Sequence, residues 1–341
     1  MSSEVCYSDS LDPKKAKGKI VICSGGNSEN IEKGEEVIRA GGVGLIVVNN
    51  EWSGNAVTAT LYRLPAINIG WTYGSAIYSY MNTTKSPTAC ISAPTTRLGV
   101  KPAPAMTDFS SRGPNTITPQ ILKPDVTAPG YMILAAYSGA ASATGRGNDT
   151  RRVLFNMLSG TSMSCPHVAG LTGLLKTLYP GWSPAAIRSA IMTTARTRAN
   201  NGTTIPDYDN KKATPFAYGS GHIRPNRAMD PGLVFDLSTT NYLDFLCALG
   251  YNASSMAAFY KKPYGCPSKP MNLEDLNYPS IAVPNLNGSL TVTRTVKNVG
   301  SPSTYRVRIV APIDISNSQE CWIPKHLSGT DCGSNRHIGI R

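Results

Sequence analysis

The sequence predicts an α/β fold for most of the chain and a small β domain near its C-terminal end. Between residues 19 and 92, short β-branched runs alternate with segments of helical spacing. A turn of small residues at 159–167 leads into an apolar helical stretch, and the alternating runs 289–297 and 304–310 predict antiparallel strands. With 41% hydrophobic and 16% charged residues, the 341-residue chain should fold into two or three globular domains.

The first 93 residues predict a small, self-contained α/β module. Its predicted strands are 19–23, 43–48, 65–69 and 88–92. One helix lies between the first two strands and is closed by Gly41 and Gly42, and a second helix spans 71–82. The Pro-rich stretch PTTRLGVKPAP then favours an extended connection, which marks a domain boundary.

The central part of the chain predicts a strand that leads to a pair of core helices. Residues 139–150 are small and polar and predict a mobile surface loop. VLFNM at 153–157 predicts a buried strand, and the segment after 167 a core helix. Ser183 as N-cap and Pro184 at the first helical position predict the start of the next helix. Further on, 241–259 reads as two helical pieces broken at Gly250.

Charge and hydropathy exclude two classes of partner. The formal net charge is +12, but the basic residues are scattered, which favours a solvated basic surface over a nucleic-acid site. Neither an apolar run long enough to span a bilayer nor an apolar signal segment at the N-terminus is present in the sequence. We therefore expect no nucleic-acid and no membrane partner.

Sequons and cysteines suggest a secretory protein without its leader. The five Asn-x-Ser/Thr sequons, candidates for glycosylation, are at Asn82, Asn148, Asn201, Asn252 and Asn287. Eight cysteines without a Cys-x-x-Cys pair fit disulfides better than zinc, and we expect neither a metal nor a cofactor. Cys6 with Cys23, and Cys247 with Cys266, could each close a short loop, whereas Cys165 is predicted to be a free core thiol.

The most informative stretch is SGTSMSCPH at 159–167, which places a serine where a strand turns into a helix. Free backbone N–H groups and the helix dipole at such a turn favour a developing anion. Ser162 is therefore the candidate nucleophile.

SGTSMSCPH resembles the serine box of the subtilisin-like proteases. Other stretches resemble the plant-type branch of that family: FSSRGP, ILKPDVTAPG, WSPAAIRSAIMTTA, YGSGHIRPNRAMDPGLVFD and DLNYPSIAVPNLNGSLTVTRTVKNVG. The resemblance runs from about Cys6 to about Ala311. It implies a protease-associated-like module at 1–93 and the C-terminal part of a parallel-sheet, subtilisin-like catalytic domain at 94–265. It also implies an incomplete fibronectin-III-like β-sandwich at 270–311, which leaves 312–341 as an aberrant tail.

By this resemblance Ser162 would attack a peptide carbonyl, with Gly160 and Thr161 shaping the turn beside it. The aspartate, histidine and oxyanion asparagine of the family are expected upstream of this segment and are not encoded here. His167 lies in the serine box with a structural role, His222 lies in a turn, and Asp125 is expected to be a turn residue. His326 and His337 belong to the tail.

The sequence therefore predicts a subtilisin-like serine endopeptidase in an incomplete chain that is inactive alone and acts on polypeptides. The alternatives are a non-catalytic, polypeptide-binding pseudoprotease and a product that never folds stably. The resemblance also implies an extracellular location and, as one assembly, a homodimer through the protease-associated-like module. We expect 1–93 to fold independently and 95–310 to be marginally stable, because sheet edges and apolar surface would be left uncovered.

Overall fold

The computed structural model describes residues 2–26, 28–57, 59–305 and the backbone of 336–340. The chain divides into two compact units. The first unit contains the described residues of 1–110, 129–164 and 206–211, and the second contains those of 111–128, 165–205 and 212–341. The sequence boundaries expected for the four domains remain a prediction.

The described residues form the following helices and strands. The helices are α1 (Ser2–Val5), α2 (Pro13–Ala16), α3 (Asn30–Arg39), α4 (Trp71–Thr83), α5 (Thr161–Leu178), α6 (Pro184–Thr193), α7 (Pro215–Tyr218), α8 (Pro225–Ala228), α9 (Thr239–Ala248) and α10 (Ala253–Ala257). The strands are β1 (Ile20–Ser24), β2 (Gly44–Val48), β3 (Ala66–Ile69), β4 (Ile133–Ala136), β5 (Phe155–Leu158), β6 (Leu233–Val234), β7 (Val292–Asn298) and β8 (Arg336–Ile340). In the described part, no helix is both long enough and apolar enough to cross a membrane.

The first unit contains a parallel sheet in the order β1-β2-β3. All five residues of β2 are buried, which fits a central strand covered on both faces. Leu45 and Val47 of β2 pack with Val37 of α3 in the core of this unit. The predicted alternation of strands and helices through this region is confirmed, except for the strand at 88–92.

Residues 88–92 form no strand in the structure. The backbone N–H of Thr88 donates to the hydroxyl oxygen of Tyr80 at 3.1 Å, and the same hydroxyl lies 3.3 Å from the Thr88 carbonyl oxygen. Because a side chain of α4 pairs with these backbone groups, they are unavailable to a neighbouring strand.

Two buried polar side chains of α3 hold the N-terminal segment against the module. Lys33 Nζ donates to the carbonyl oxygens of Val5 at 2.9 Å and Gly26 at 3.1 Å. Glu36 accepts hydrogen bonds from the backbone N–H groups of Asp9 at 2.9 Å and Leu11 at 2.8 Å. Burial lowers the pKa of the Lys33 ammonium. These contacts satisfy groups that would be unfavourable to bury unpaired.

The first unit also contains an antiparallel hairpin, β4–β5, which precedes the serine turn. The predicted strand is present, but its predicted burial is wrong. Phe155 is 62% exposed and Leu134 is 65% exposed, and with Met157 they share one face of the hairpin. On the other face Asn156 is buried, and its Nδ2 donates to the carbonyl oxygen of Ala143 at 3.1 Å.

In the second unit, α6 begins as the sequence predicts. Ser183 Oγ accepts a hydrogen bond from the N–H of Ala186 at 3.0 Å, and Pro184 occupies the first turn. Ala190 and Ile191 of this helix pack with Leu171 and Leu175 of α5 in one apolar cluster. Two helical pieces separated at Gly250 are also confirmed, as α9 and α10.

The C-terminal strands form a small antiparallel sheet in the order β6-β7-β8. Val292 of β7 pairs with Ile340, and Leu233 of β6 pairs with Asn298. Thus 336–340 pairs with β7, although the sequence pattern suggested a tail unrelated to the sheet. The second predicted strand, 304–310, lies outside the described residues from 306 onward.

Candidate active site

The turn before α5 is held closely against the segment that leads into β4. Gly160 N donates to the carbonyl oxygen of Gly130 at 2.8 Å, and Ser159 Oγ accepts from the N–H of Met132 at 2.8 Å. A Cβ atom at Gly130 would lie 2.9 Å from the backbone carbonyl oxygen of Gly160 and 2.1 Å from Ser164 Oγ, so a larger residue would push the turn away. Gly160 has φ of 152°, a backbone conformation that side chains rarely adopt. The two glycines therefore allow the close approach that shapes this turn.

Ser162 is the second residue of α5 and is exposed. Its N–H belongs to the first helical turn, where backbone donors have no intrahelical acceptor. The partial positive charge of the helix N-terminus is concentrated at the same place. Thr161, the first helical residue, is also exposed. The structure thus brings Gly160, Thr161 and Ser162 together at one helix start, with donors suited to an anion.

No other described residue forms a hydrogen bond with Ser162 Oγ. His167 lies five residues further along α5, which places it about 140° around the axis and about 7.5 Å along it. Side chains at this spacing do not face each other. This geometry agrees with the structural role expected for His167.

His222 is held in place by its backbone and its ring. Its N–H and carbonyl oxygen both pair with Arg196, and its Nδ1 lies 3.0 Å from the Ile223 carbonyl oxygen. Burial lowers the pKa of the imidazole, and His167 adds to the effect. These contacts give His222 a structural place in the second unit. His326 lies outside the described residues, and only the backbone of His337 is described.

Asp125 belongs to a side-chain cluster of the second unit. Its Oδ1 accepts from Lys123 Nζ at 2.7 Å and from the hydroxyl of Tyr278. The guanidinium of Arg188 lies over the Tyr278 ring, 4.6 Å from its centroid. Burial, together with the Asp125 carboxylate, raises the pKa of Tyr278. Asp125 therefore joins its own segment to that of Tyr278, and this role goes beyond the turn residue that the sequence suggested.

Both cysteine pairs considered from the sequence are bonded. The Sγ atoms are 2.07 Å apart in Cys6–Cys23 and in Cys247–Cys266. Cys165 is free but exposed, so the predicted core position is wrong. The reason is that α5 buries Leu171 and Leu175, further along the helix, and not its first turns.

All five sequon asparagines are exposed. Asn252 caps α10 by accepting from the N–H of Ser255 at 3.0 Å, and Asn201 Oδ1 accepts from Thr203 Oγ1 at 2.8 Å. Asn148 Nδ2 donates to Glu35 Oε2 at 2.8 Å. Exposure makes each sequon accessible to a glycosylating enzyme.

Sequence reasoning missed the role of Gly130 and the charged contacts of the loop between β4 and β5. The Ala-Pro-Gly ending of ILKPDVTAPG was the available signal for Gly130, because a glycine after a proline marks a special backbone position. The arginines in RGNDTRR were the signal for the loop. Among the described residues, no cluster of three or more His, Cys, Asp or Glu side chains could hold a metal ion.

Comparison with known proteins identifies the family. The subtilase family profile matches residues 3–221, and a fibronectin type-III domain profile matches 275–319. The subtilisin-like protease SBT5.4 of Arabidopsis thaliana is 52% identical over 96% of this chain and 42% of its own length. SBT5.3 of the same plant is 51% identical over 100% of this chain and 44% of its own length.

The chain thus spans less than half the length of these relatives. The solved structure of the psychrophilic subtilisin-like protease Apa1 from Pseudoalteromonas aligns at 14% identity with a TM-score of 0.23, over 62% of this chain and 36% of the other. That likeness is too distant to add to the description of the fold. The match over residues 3–221 and the identity with the plant proteases establish that this chain belongs to the subtilase family.

Proposed function

We propose that this chain carries the nucleophile of a serine endopeptidase, with Ser162 as the attacking residue. The observation that carries the proposal is the exposed Ser162 at the start of an 18-residue helix, in a turn shaped by Gly130 and Gly160. An anion that forms beside this hydroxyl would lie near the N–H of Ser162 and the positive end of the helix dipole.

In the proposed reaction, Ser162 Oγ forms a bond to the carbonyl carbon of a peptide and its proton passes to a histidine base. The carbonyl oxygen becomes an oxyanion, and the N–H of Ser162 donates to it. The C–N bond then breaks as the base returns the proton to the leaving amine, which leaves an acyl-enzyme for water to hydrolyse. Gly160 and Thr161 shape the turn and do not react.

We propose that the base, its orienting carboxylate and the second oxyanion donor belong to the part of a subtilase that this chain does not contain. In subtilisin, loss of the histidine alone lowers kcat by about a millionfold. Loss of one oxyanion donor alone lowers kcat by a factor of roughly 100 to 1,000. The chain alone should therefore have no measurable peptidase activity.

A non-catalytic role in binding polypeptides is the second candidate. The exposed apolar face of the hairpin, formed by Leu134, Phe155 and Met157, favours it. Contiguous exposed apolar side chains often mark surfaces that bind other polypeptides. In this alternative Ser162 remains exposed but performs no chemistry.

A fluorophosphonate probe distinguishes these functions. Two proteins are tested: the chain alone, and a fusion in which the N-terminal portion of SBT5.4 precedes it. Each is made with Ser162→Ala and, as a control at another exposed serine, with Ser53→Ala. We expect no labelling of the chain alone, and labelling of the fusion that Ser162→Ala abolishes and Ser53→Ala preserves. Labelling that survives Ser162→Ala, or a folded fusion that stays unlabelled, would reject Ser162 as the nucleophile.

We further propose that the protein is an extracellular glycoprotein and that its N-terminal module is protease-associated-like. Five exposed sequons and two disulfides support this location, because both features belong to secretory compartments. The module would contact polypeptides or a second copy of the chain. Expression through a plant secretory pathway, followed by enzymatic removal of N-glycans, should lower the apparent mass on a gel.

A further inference from the structure

The loop at residues 137–154 joins β4 to β5 and therefore belongs to the hairpin that ends at the serine turn. Several of its side chains form hydrogen bonds within the loop. Asp149 is 2% exposed and accepts from Arg151 Nε at 2.9 Å and Nη2 at 2.8 Å. The backbone N–H of Thr144 donates to the same carboxylate at 3.3 Å. The paired Arg151 holds the pKa of Asp149 well below its usual range.

The same loop binds the N-terminal module within the first unit. Arg146 Nη2 pairs with Glu29 and lies 3.3 Å from Glu32 Oε1. Asn148 Nδ2 donates to Glu35 Oε2 at 2.8 Å. A third contact comes from Arg151, which also pairs with Asp149: its Nη1 donates to the carbonyl oxygen of Tyr62 at 3.1 Å. The buried carboxylate thus presents this guanidinium to the module.

Charge and spacing match across this contact. Glu29, Glu32 and Glu35 recur every three residues at the start of α3, so they lie along one side of the helix. The loop presents two arginines to the module, one to these carboxylates and one to a carbonyl oxygen. Side chains at the ion pairs are 39–72% exposed, so each pair is weak and sensitive to salt. A contact built in this way is reversible.

We propose that residues 146–151 are an electrostatic clasp through which the N-terminal module holds the β4–β5 hairpin, and with it the turn that carries Ser162. The hairpin depends on this support because its apolar face is exposed and its two strands pair only with each other among the described residues. The inference goes beyond the proposed function, and its test does not depend on proteolysis.

Hydrogen exchange measured by mass spectrometry tests the clasp in the whole chain, produced without glycosylation because Asn148 lies in a sequon. The double variant Glu29→Lys/Glu32→Lys should speed amide exchange in 133–136 and 155–160 by roughly three- to tenfold. Exchange in β1–β3 should stay unchanged. Glu51→Lys is the control, because it makes the same kind of substitution once, with half the charge change of the double variant, at an exposed position outside the clasp.

A charge swap gives the decisive comparison. Adding Arg146→Glu to the double variant should return exchange in the hairpin toward the wild-type rate. Raising NaCl from about 0.05 M to about 0.5 M should speed hairpin exchange in the wild type more than in the double variant.

Hairpin exchange that is unchanged in the double variant, or that rises equally in Glu51→Lys, would overturn the proposal. If exchange in β1–β3 also rises in the double variant, the single variant Arg146→Glu becomes the test, since it leaves the sequence of the module intact. In that case hairpin exchange must rise in Arg146→Glu for the clasp to stand. None of these readouts uses the reactivity of Ser162, so failure of the clasp is distinguishable from failure of the proposed function.

Discussion

Replacing Arg294 with methionine should separate β7 from the segment that precedes it. Arg294 is 5% exposed in the second unit. Its guanidinium donates to three carbonyl oxygens of that segment: Nε to Tyr278 at 3.0 Å, Nη1 to Glu274 at 2.7 Å and Nη2 to Ser280 at 2.8 Å. Burial lowers the pKa of this guanidinium. Methionine keeps much of the apolar stem but supplies no donor.

The expected loss follows from these three hydrogen bonds. A hydrogen bond to a charged group contributes about 1.5–3 kcal/mol, so the three together contribute roughly 4–9 kcal/mol. Removal of the arginine also relieves the unfavourable burial of its charge, which offsets part of that sum. We therefore expect a net loss of about 3–5 kcal/mol in the free energy of unfolding of the second unit. For a unit of this size the melting temperature should fall by on the order of 10 °C.

Differential scanning calorimetry of the whole chain measures this change. Lys297→Met is the matched control, because Lys297 lies on the same strand with an exposed side chain. The control should melt close to the wild type. If Arg294→Met melts within about 2 °C of Lys297→Met, the three hydrogen bonds do not hold the segment to β7.

Two further predictions concern the disulfide of the module and the pH dependence of the second unit. Cys6 and Cys23 are 17 residues apart, so replacing both with alanine should destabilise the first unit by about 3 kcal/mol in the chain-entropy model. Urea unfolding should show a lower midpoint, and an unchanged midpoint would refute this estimate. Because the pKa of His222 is lowered in the folded chain, the unfolded chain binds more protons than the folded chain at pH values between that pKa and the ordinary value of about 6.5. Stability should therefore fall as the pH falls through this window, and His222→Gln should flatten the decline; equal slopes in urea unfolding from about pH 5 to about pH 8 would contradict it.

The sequence predicted those features that depend on neighbouring residues. Ser183 and Pro184 specify a helix start because a side-chain acceptor and a fixed φ act within one turn. The continuous apolar run of β2 specifies a strand for a similar reason. The serine box placed Ser162 at the start of a helix, where the structure also has it. Local chemistry was sufficient in each case.

Burial and long-range contacts were decided only by the tertiary structure. Phe155 and Cys165 have sequence contexts typical of a core, yet both are exposed, because burial depends on what packs against a residue. The contact between Arg146 and Glu29 joins residues 117 positions apart, which no local pattern specifies. The sequence by itself thus determined the family and the candidate nucleophile. Only the folded chain decided which surfaces are covered and which distant side chains meet, because both depend on the packing of distant segments.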